Sequence, residues 1–177
     1  IVALRAGRQF MAIGYVHVSG WQAEPVLIGE VDDFTPPGLG LAVDDSGTAL
    51  ICWRENNAEN SGMEDIWSRN FNPQSGWSPA GLVESFDNFT AYDDNYSVPS
   101  AAALGDDNFL VAWQQWGENS GSALYLNTYI SGQEWQGPEA FRDIQGIQSA
   151  WPVLASDAQG RAIMVWGQDN NETWGMG

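Results

Sequence analysis

Apolar residues in this chain come in short runs, broken at close intervals by Gly, Pro, Asn, Asp and Ser. The stretch from Leu39 to Ser85 shows the pattern best. It runs Leu-Gly-Leu-Ala-Val, then a polar Asp-Asp-Ser-Gly, then Thr-Ala-Leu-Ile-Cys-Trp. A polar run to Met63 follows, and then Asp-Ile-Trp-Ser-Arg-Asn-Phe, a Pro-Gln-Ser-Gly-Trp turn and Gly-Leu-Val-Glu-Ser. Short β-branched and aromatic runs bounded by turn formers predict strands. No part of the unit sustains the 3.6-residue period of a helix. Four strands, A to D, are therefore expected, with tight turns at Asp44–Gly47 and Pro73–Gly76 and a long loop at Glu55–Glu64.

The unit recurs. Trp53, at the end of strand B, has counterparts at Trp113 and Trp166, spaced by 60 and 53 residues. Trp77, at the start of strand D, has counterparts at Trp21 and Trp135, spaced by 56 and 58. Leu50, Leu110 and Ile163 align, as do Ala42, Ala102 and Ala155. Gly47 aligns with Gly160 and Asp107, which predicts positive φ in that turn. A four-stranded repeat of this length is the pattern of a propeller blade. The expected fold is all-β: a β-propeller-like array of four-stranded antiparallel blades, about three in number and incomplete at both ends. One blade lacking strand A spans 1–38, full blades span 39–97 and 98–150, and 151–177 begins another. Open blade edges favour pairing, so strands are expected from a longer parent chain or from another copy.

Ala-Val-Asp-Asp-Ser-Gly-Thr-Ala-Leu-Ile-Cys-Trp, Ala-Ser-Asp-Ala-Gln-Gly-Arg-Ala-Ile-Met-Val-Trp and the Ser-Gly-Trp at 75–77 carry a resemblance. In these motifs the chain resembles bacterial extracellular β-propeller repeats of the sialidase-type (Asp-box) family. The resemblance implies blades and an extracellular or cell-surface location. It does not carry sialidase activity. Asp44 and Gly47 are three apart, as are Asp157 and Gly160, where the Asp-box proper has two; Leu104 replaces the Asp in the third blade; and no arginine triad can be matched.

Charge narrows the partners. Six Lys+Arg, all of them Arg, face 23 Asp+Glu, for a net charge of −17. Such a surface repels phosphate backbones and anionic lipid, so nucleic acid is not an expected partner. No apolar run approaches the length of a membrane helix. A lone Cys52 within strand B reads as a buried thiol, and one His excludes a histidine-cluster zinc site.

Candidate chemistry lies in the long segments. In an up-and-down blade the A–B and C–D turns share one end, and the B–C loops and D-to-A connections share the other. Here the first set is short and the second long, and function collects on long irregular segments. Arg54 and Glu55 follow Trp53, Gln114 and Gln115 follow Trp113, and Gln168 follows Gly167, so these residues are expected around one mouth of the array. Trp116, Trp151 and Tyr92 lie in or beside the loops. Aromatic rings with amides and carboxylates suit a glycan, or a protein partner. The competing reading packs these tryptophans between blades and leaves the polar residues as wet strand caps. Asp93 and Asp94 offer oxygens for Ca²⁺, without the spacing of a calcium loop; no other cofactor is expected. The reading favoured is a non-catalytic extracellular binding module acting through the long-loop end. A structural or assembly segment of a larger surface protein is the alternative, and a fragment of a propeller glycoside hydrolase or lyase is the second alternative.

Overall fold

The computed structural model describes residues 2–6, 9–30, 38–56, 64–84, 98–117, 121–144 and 151–167. These residues are all-β, with antiparallel pairing throughout and no helix. The first sheet has β1 (Val2–Ala6), β2 (Gln9–Ile13) and β5 (Val26–Glu30), in the order β1-β2-β5. A small hairpin of β3 (Tyr15–Val16) and β4 (Gly20–Trp21) extends from it. The second sheet runs β6 (Leu39–Val43), β7 (Ala49–Asn56), β8 (Glu64–Asn72) and β10 (Gly81–Leu82), with β9 (Gly76–Trp77) folding back on β8. The third repeats this order with β11 (Ser100–Gly105), β12 (Asn108–Gly117), β13 (Gly121–Ile130) and β15 (Glu139–Ile144), with β14 (Glu134–Trp135) on β13. A two-stranded sheet of β16 (Val153–Ser156) and β17 (Ala162–Val165) comes last.

The sheets stack face to face because their central strands are apolar on both sides. Successive side chains of a strand point to opposite faces. On β7, Leu50 and Cys52 join Ile66 and Val83 in a core with Phe109, Val111 and Trp113 of the third sheet. Ile51 and Trp53 face the other way, onto Phe10, Ala12 and Ile28 of the first sheet. The Trp53 and Phe10 rings meet edge to face at 5.0 Å. On the far side of the third sheet, Ala102 and Ala112 pack on Leu154, and Leu124 on Met164 and Trp166. The first strands of neighbouring sheets approach most closely. A Cβ on Gly40 would lie 2.6 Å from the Pro99 carbonyl oxygen, and one on Gly160 would collide with that of Leu104. Only glycine permits that approach. Arg69 also ties the first two sheets, donating to the carbonyls of Leu27 and Ile28 at 3.2 and 2.9 Å.

The tryptophan register appears in space. Trp21 meets Tyr15, Trp77 meets Phe71 and Trp135 meets Tyr129, with centroids 5.1, 5.2 and 5.5 Å apart. These residues close three hairpin tips in equivalent places. One detail differs from the expectation: Trp77 lies on the short return β9, separate from the fourth strand β10. The chain turns back at the tip before it re-enters the sheet, so the aromatic clasps the hairpin and leaves the strand to start at Gly81. The turn residues Gly47, Gly160 and Asp107 take φ of 84°, 74° and 60°.

Candidate functional site

The second strands of the sheets end in a repeated polar clasp. Trp53 and Trp113 are buried, and each indole N–H needs an acceptor there. Trp53 Nε1 donates to Glu55 Oε2 at 3.1 Å, and Trp113 Nε1 donates to Gln115 Oε1 at 2.9 Å. The acceptor sits two residues on, on the same face of the strand. Gln115 then donates through Nε2 to Glu84 Oε2 at 3.0 Å, joining the third sheet to the exit of the second. Gln115 and Glu84 are 6% and 7% exposed. Arg54, as deeply buried, pairs through Nε with Glu64 Oε1 at 3.1 Å across β7 and β8.

Burial pushes the Glu84 carboxyl up to about 7, and the neighbouring Asp65 carboxylate, hydrogen-bonded to it, pushes the same way; the Gln115 hydrogen bond opposes them. Burial thus disfavours the charged form of Glu84. Burial likewise pushes the Cys52 thiol up to about 12, which makes it an inert core group.

The residues nominated from sequence therefore divide into three sets. Arg54 and Glu55 lie near the end of β7, and Gln115, expected just past the end of its strand, lies within β12, which continues to Gly117; their side chains are engaged by Glu64, Trp53, Trp113 and Glu84. Gln114 is buried beside them, and Trp151 is 51% exposed. The Trp116 backbone continues β12 opposite Ser122, with its side chain outside the described residues. Tyr92, Asp93, Asp94 and Gln168 lie outside the described residues. No group of three metal-ligating side chains forms among the described residues. Glu84, Asp65 and Glu64 were missed from sequence because carboxylates at strand ends read as solvated. Only pairing and tertiary contact bury Glu84 and half-bury Glu64 and Asp65.

The opposite end carries the short turns. Asp44 Oδ1 accepts from the backbone of Ser46 and Thr48 at 2.9 and 3.0 Å, and Asp157 Oδ1 accepts from Gln159 and Arg161, both at 3.0 Å. The Asp-x-x-Gly spacing thus folds each turn around its own carboxylate. Asp44 Oδ2 also takes the Asp107 N–H of the next turn at 3.2 Å. Partial burial works against the Asp44 charge, but these hydrogen bonds outweigh it and hold the carboxyl below its ordinary range. A shallow acidic cavity of about 480 Å³ opens beside Asp44, Asp45, Asp106 and Asp157. A second cleft, of about 400 Å³, opens between the hairpin tips of the second and third sheets.

Compared with protein-family models and with curated proteins, the chain matches none.

Proposed function

We propose that the four sheets are consecutive blades of a β-propeller array, and that the array is a non-catalytic extracellular or cell-surface binding module for a glycan or a protein partner. The single observation that supports it is the polar clasp at the loop end. Trp53–Glu55 and Arg54–Glu64 lie where β7 and β8 meet the segment 57–63, and Trp113–Gln115–Glu84 ties β12 to the start of the segment that leaves the second sheet. Loops anchored on rigid ends hold a binding surface at low entropic cost. In this reading Arg54, Glu55 and Gln115 position the loops, and Trp151 supplies exposed aromatic surface. Asp93 and Asp94, outside the described residues, offer oxygens to a calcium ion. The charge of −17 directs the module away from nucleic acid.

The Glu84–Asp65 pair does not favour a glycosidase. Its carboxyls hydrogen-bond to each other directly, whereas glycosidic cleavage needs them about 5 Å or more apart, with the sugar between. A second reading, an assembly segment of a larger surface protein, is favoured by one observation. Val153, Ile163 and Val165 stand 61%, 71% and 64% exposed on the last sheet.

A glycan array probed with the chain tests the proposal. Trp151→Ala is expected to weaken any loop-end ligand by about ten-fold or more, as loss of an aromatic anchor does. Glycan or partner binding untouched by both Trp151→Ala and Trp116→Ala would move the site off this end.

A further inference from the structure

We propose that the short edge strand β10, with the Glu84 that follows it, is a proton-operated latch between the second and third sheets, shut in acid and loosened as the pH rises to neutrality. The inference goes beyond the binding-module reading and stands whether or not the loop end holds a ligand.

The latch begins with a weakly held strand. β10 is two residues long and lies at the edge of the second sheet. It pairs with β8 through Gly81 opposite Ser68 and Leu82 opposite Trp67, and the Val83 N–H donates to the Ile66 carbonyl at 2.8 Å. Elements with so few backbone hydrogen bonds open locally before the fold does. The third sheet supplies the rest of the hold. Val83, 1% exposed, packs with Phe109, Val111 and Trp113. Its carbonyl accepts from Asn127 Nδ2 of β13 at 2.6 Å. Glu84 Oε2 accepts from Gln115 Nε2 of β12 at 3.0 Å. Among these contacts only Glu84 can gain or lose a proton.

The surroundings make that proton matter. From β8, Glu84 faces the Asp65 carboxyl and the Ile66 N–H, and from β12 it faces the neutral Gln115 amide. The neighbouring charges have partners of their own. Arg54 of β7 pairs with Glu64 of β8, and Glu55 takes the Trp53 indole N–H. Loss of the Glu84 proton sets a carboxylate in a buried junction beside a second acid. Burial is the larger penalty and the Asp65 charge adds to it, against the pull of the Gln115 and Ile66 N–H donors. Gln115 is not free to follow an ionised Glu84 toward water, since its Oε1 is held by the Trp113 indole at 2.9 Å. The strands β7, β8 and β12 are each paired on both sides. The edge strand is the element that gives way.

The direction follows from linkage. Shut, Glu84 keeps its proton up to about pH 7; released into water, it ionises near its ordinary 4.5. The released form therefore binds fewer protons. Its population rises about ten-fold per pH unit between these two values and levels off above 7.

Native-state hydrogen exchange on the isotopically labelled 177-residue chain tests the latch. The protection factor of the Val83 amide, which is free of the intrinsic pH dependence of exchange, is expected to fall about ten-fold per pH unit from 4.5 to 7 and then level off. Its exchange should be insensitive to low urea, while the amides of β7 and β12 respond steeply, because a local opening exposes little surface. Glu84→Gln is neutral at every pH, and its Val83 protection should stay flat across the window. Asp65→Asn removes the like charge and should bring the levelling-off to a lower pH. A flat Val83 profile in the wild-type chain overturns the latch, and so does a fall that persists in Glu84→Gln. Val83 exchanging in step with β7 and β12 at every urea concentration also overturns it, because the proton would then act on the whole fold. If Glu84→Gln does not fold, Asp65→Asn decides alone: levelling-off at the wild-type pH overturns the latch.

Discussion

Glu84 shows how far one residue's chemistry is set by its neighbours. Its carboxyl, 7% exposed, faces Asp65 and the Gln115 amide, and burial first, then the like charge, pushes it up to about 7 from 4.5. The folded state therefore holds a proton that the unfolded state has released between about pH 4.5 and 7. Stability rises with pH only where the unfolded chain binds more protons. Here the native chain binds more, so this group's contribution is fully present below pH 4.5 and is lost as pH rises through about 7. Glu84→Gln mimics the protonated form. Melting curves across that window should show the wild-type midpoint falling by about 5 °C more than the variant's. Parallel curves for the two proteins would mean that Glu84 is solvated.

At the scale of the element, the clasp between a strand-B tryptophan and the residue two positions on is the repeated device. It appears on β7 as Trp53–Glu55 and on β12 as Trp113–Gln115. The partner is free to be acid or amide because the indole N–H asks only for an acceptor. On β12 the amide has a second duty, since its NH₂ reaches Glu84. Gln115→Leu keeps the volume but leaves the Trp113 N–H and the Glu84 carboxyl short of partners. It should cost about 2–4 kcal/mol in urea unfolding, the sum of two unmet buried groups. Gln115→Glu should cost more near neutral pH, by setting a second acid against Glu84. A loss below 0.5 kcal/mol for the leucine variant would show that the clasp is not needed.

At the scale of the molecule, the stack repeats one interface among the described residues, and the last sheet carries the corresponding apolar positions exposed. Leu50 and Leu110 are covered by the sheet that follows them, and so are Cys52 and Ala112. Ile163 and Val165 hold the corresponding positions on the last sheet and are exposed. Bare apolar sheet faces of this kind are association surfaces. The chain is therefore expected to self-associate in sedimentation velocity at micromolar concentration. Ile163→Lys should shift it toward monomer with little change in melting temperature, since that side chain contributes little to the core. A wild-type chain that sediments as a monomer would remove this expectation.

The sequence by itself determined the strands, their turns and their repeat. Short apolar runs between turn formers define strands locally, and the tryptophan spacing carries the register, which reappears as three aromatic clasps at hairpin tips. It also placed Arg54, Glu55 and Gln115 near the loops. What those side chains do was decided only by tertiary contact. The partners Glu64 and Glu84 come from outside the strand that each of them meets, and a hydrophilic residue reads the same in sequence whether it faces water or a buried acid. The turn-end cleft was equally invisible. Its lining residues come from hairpin tips of two different sheets, and only the stacking of those sheets brings them together.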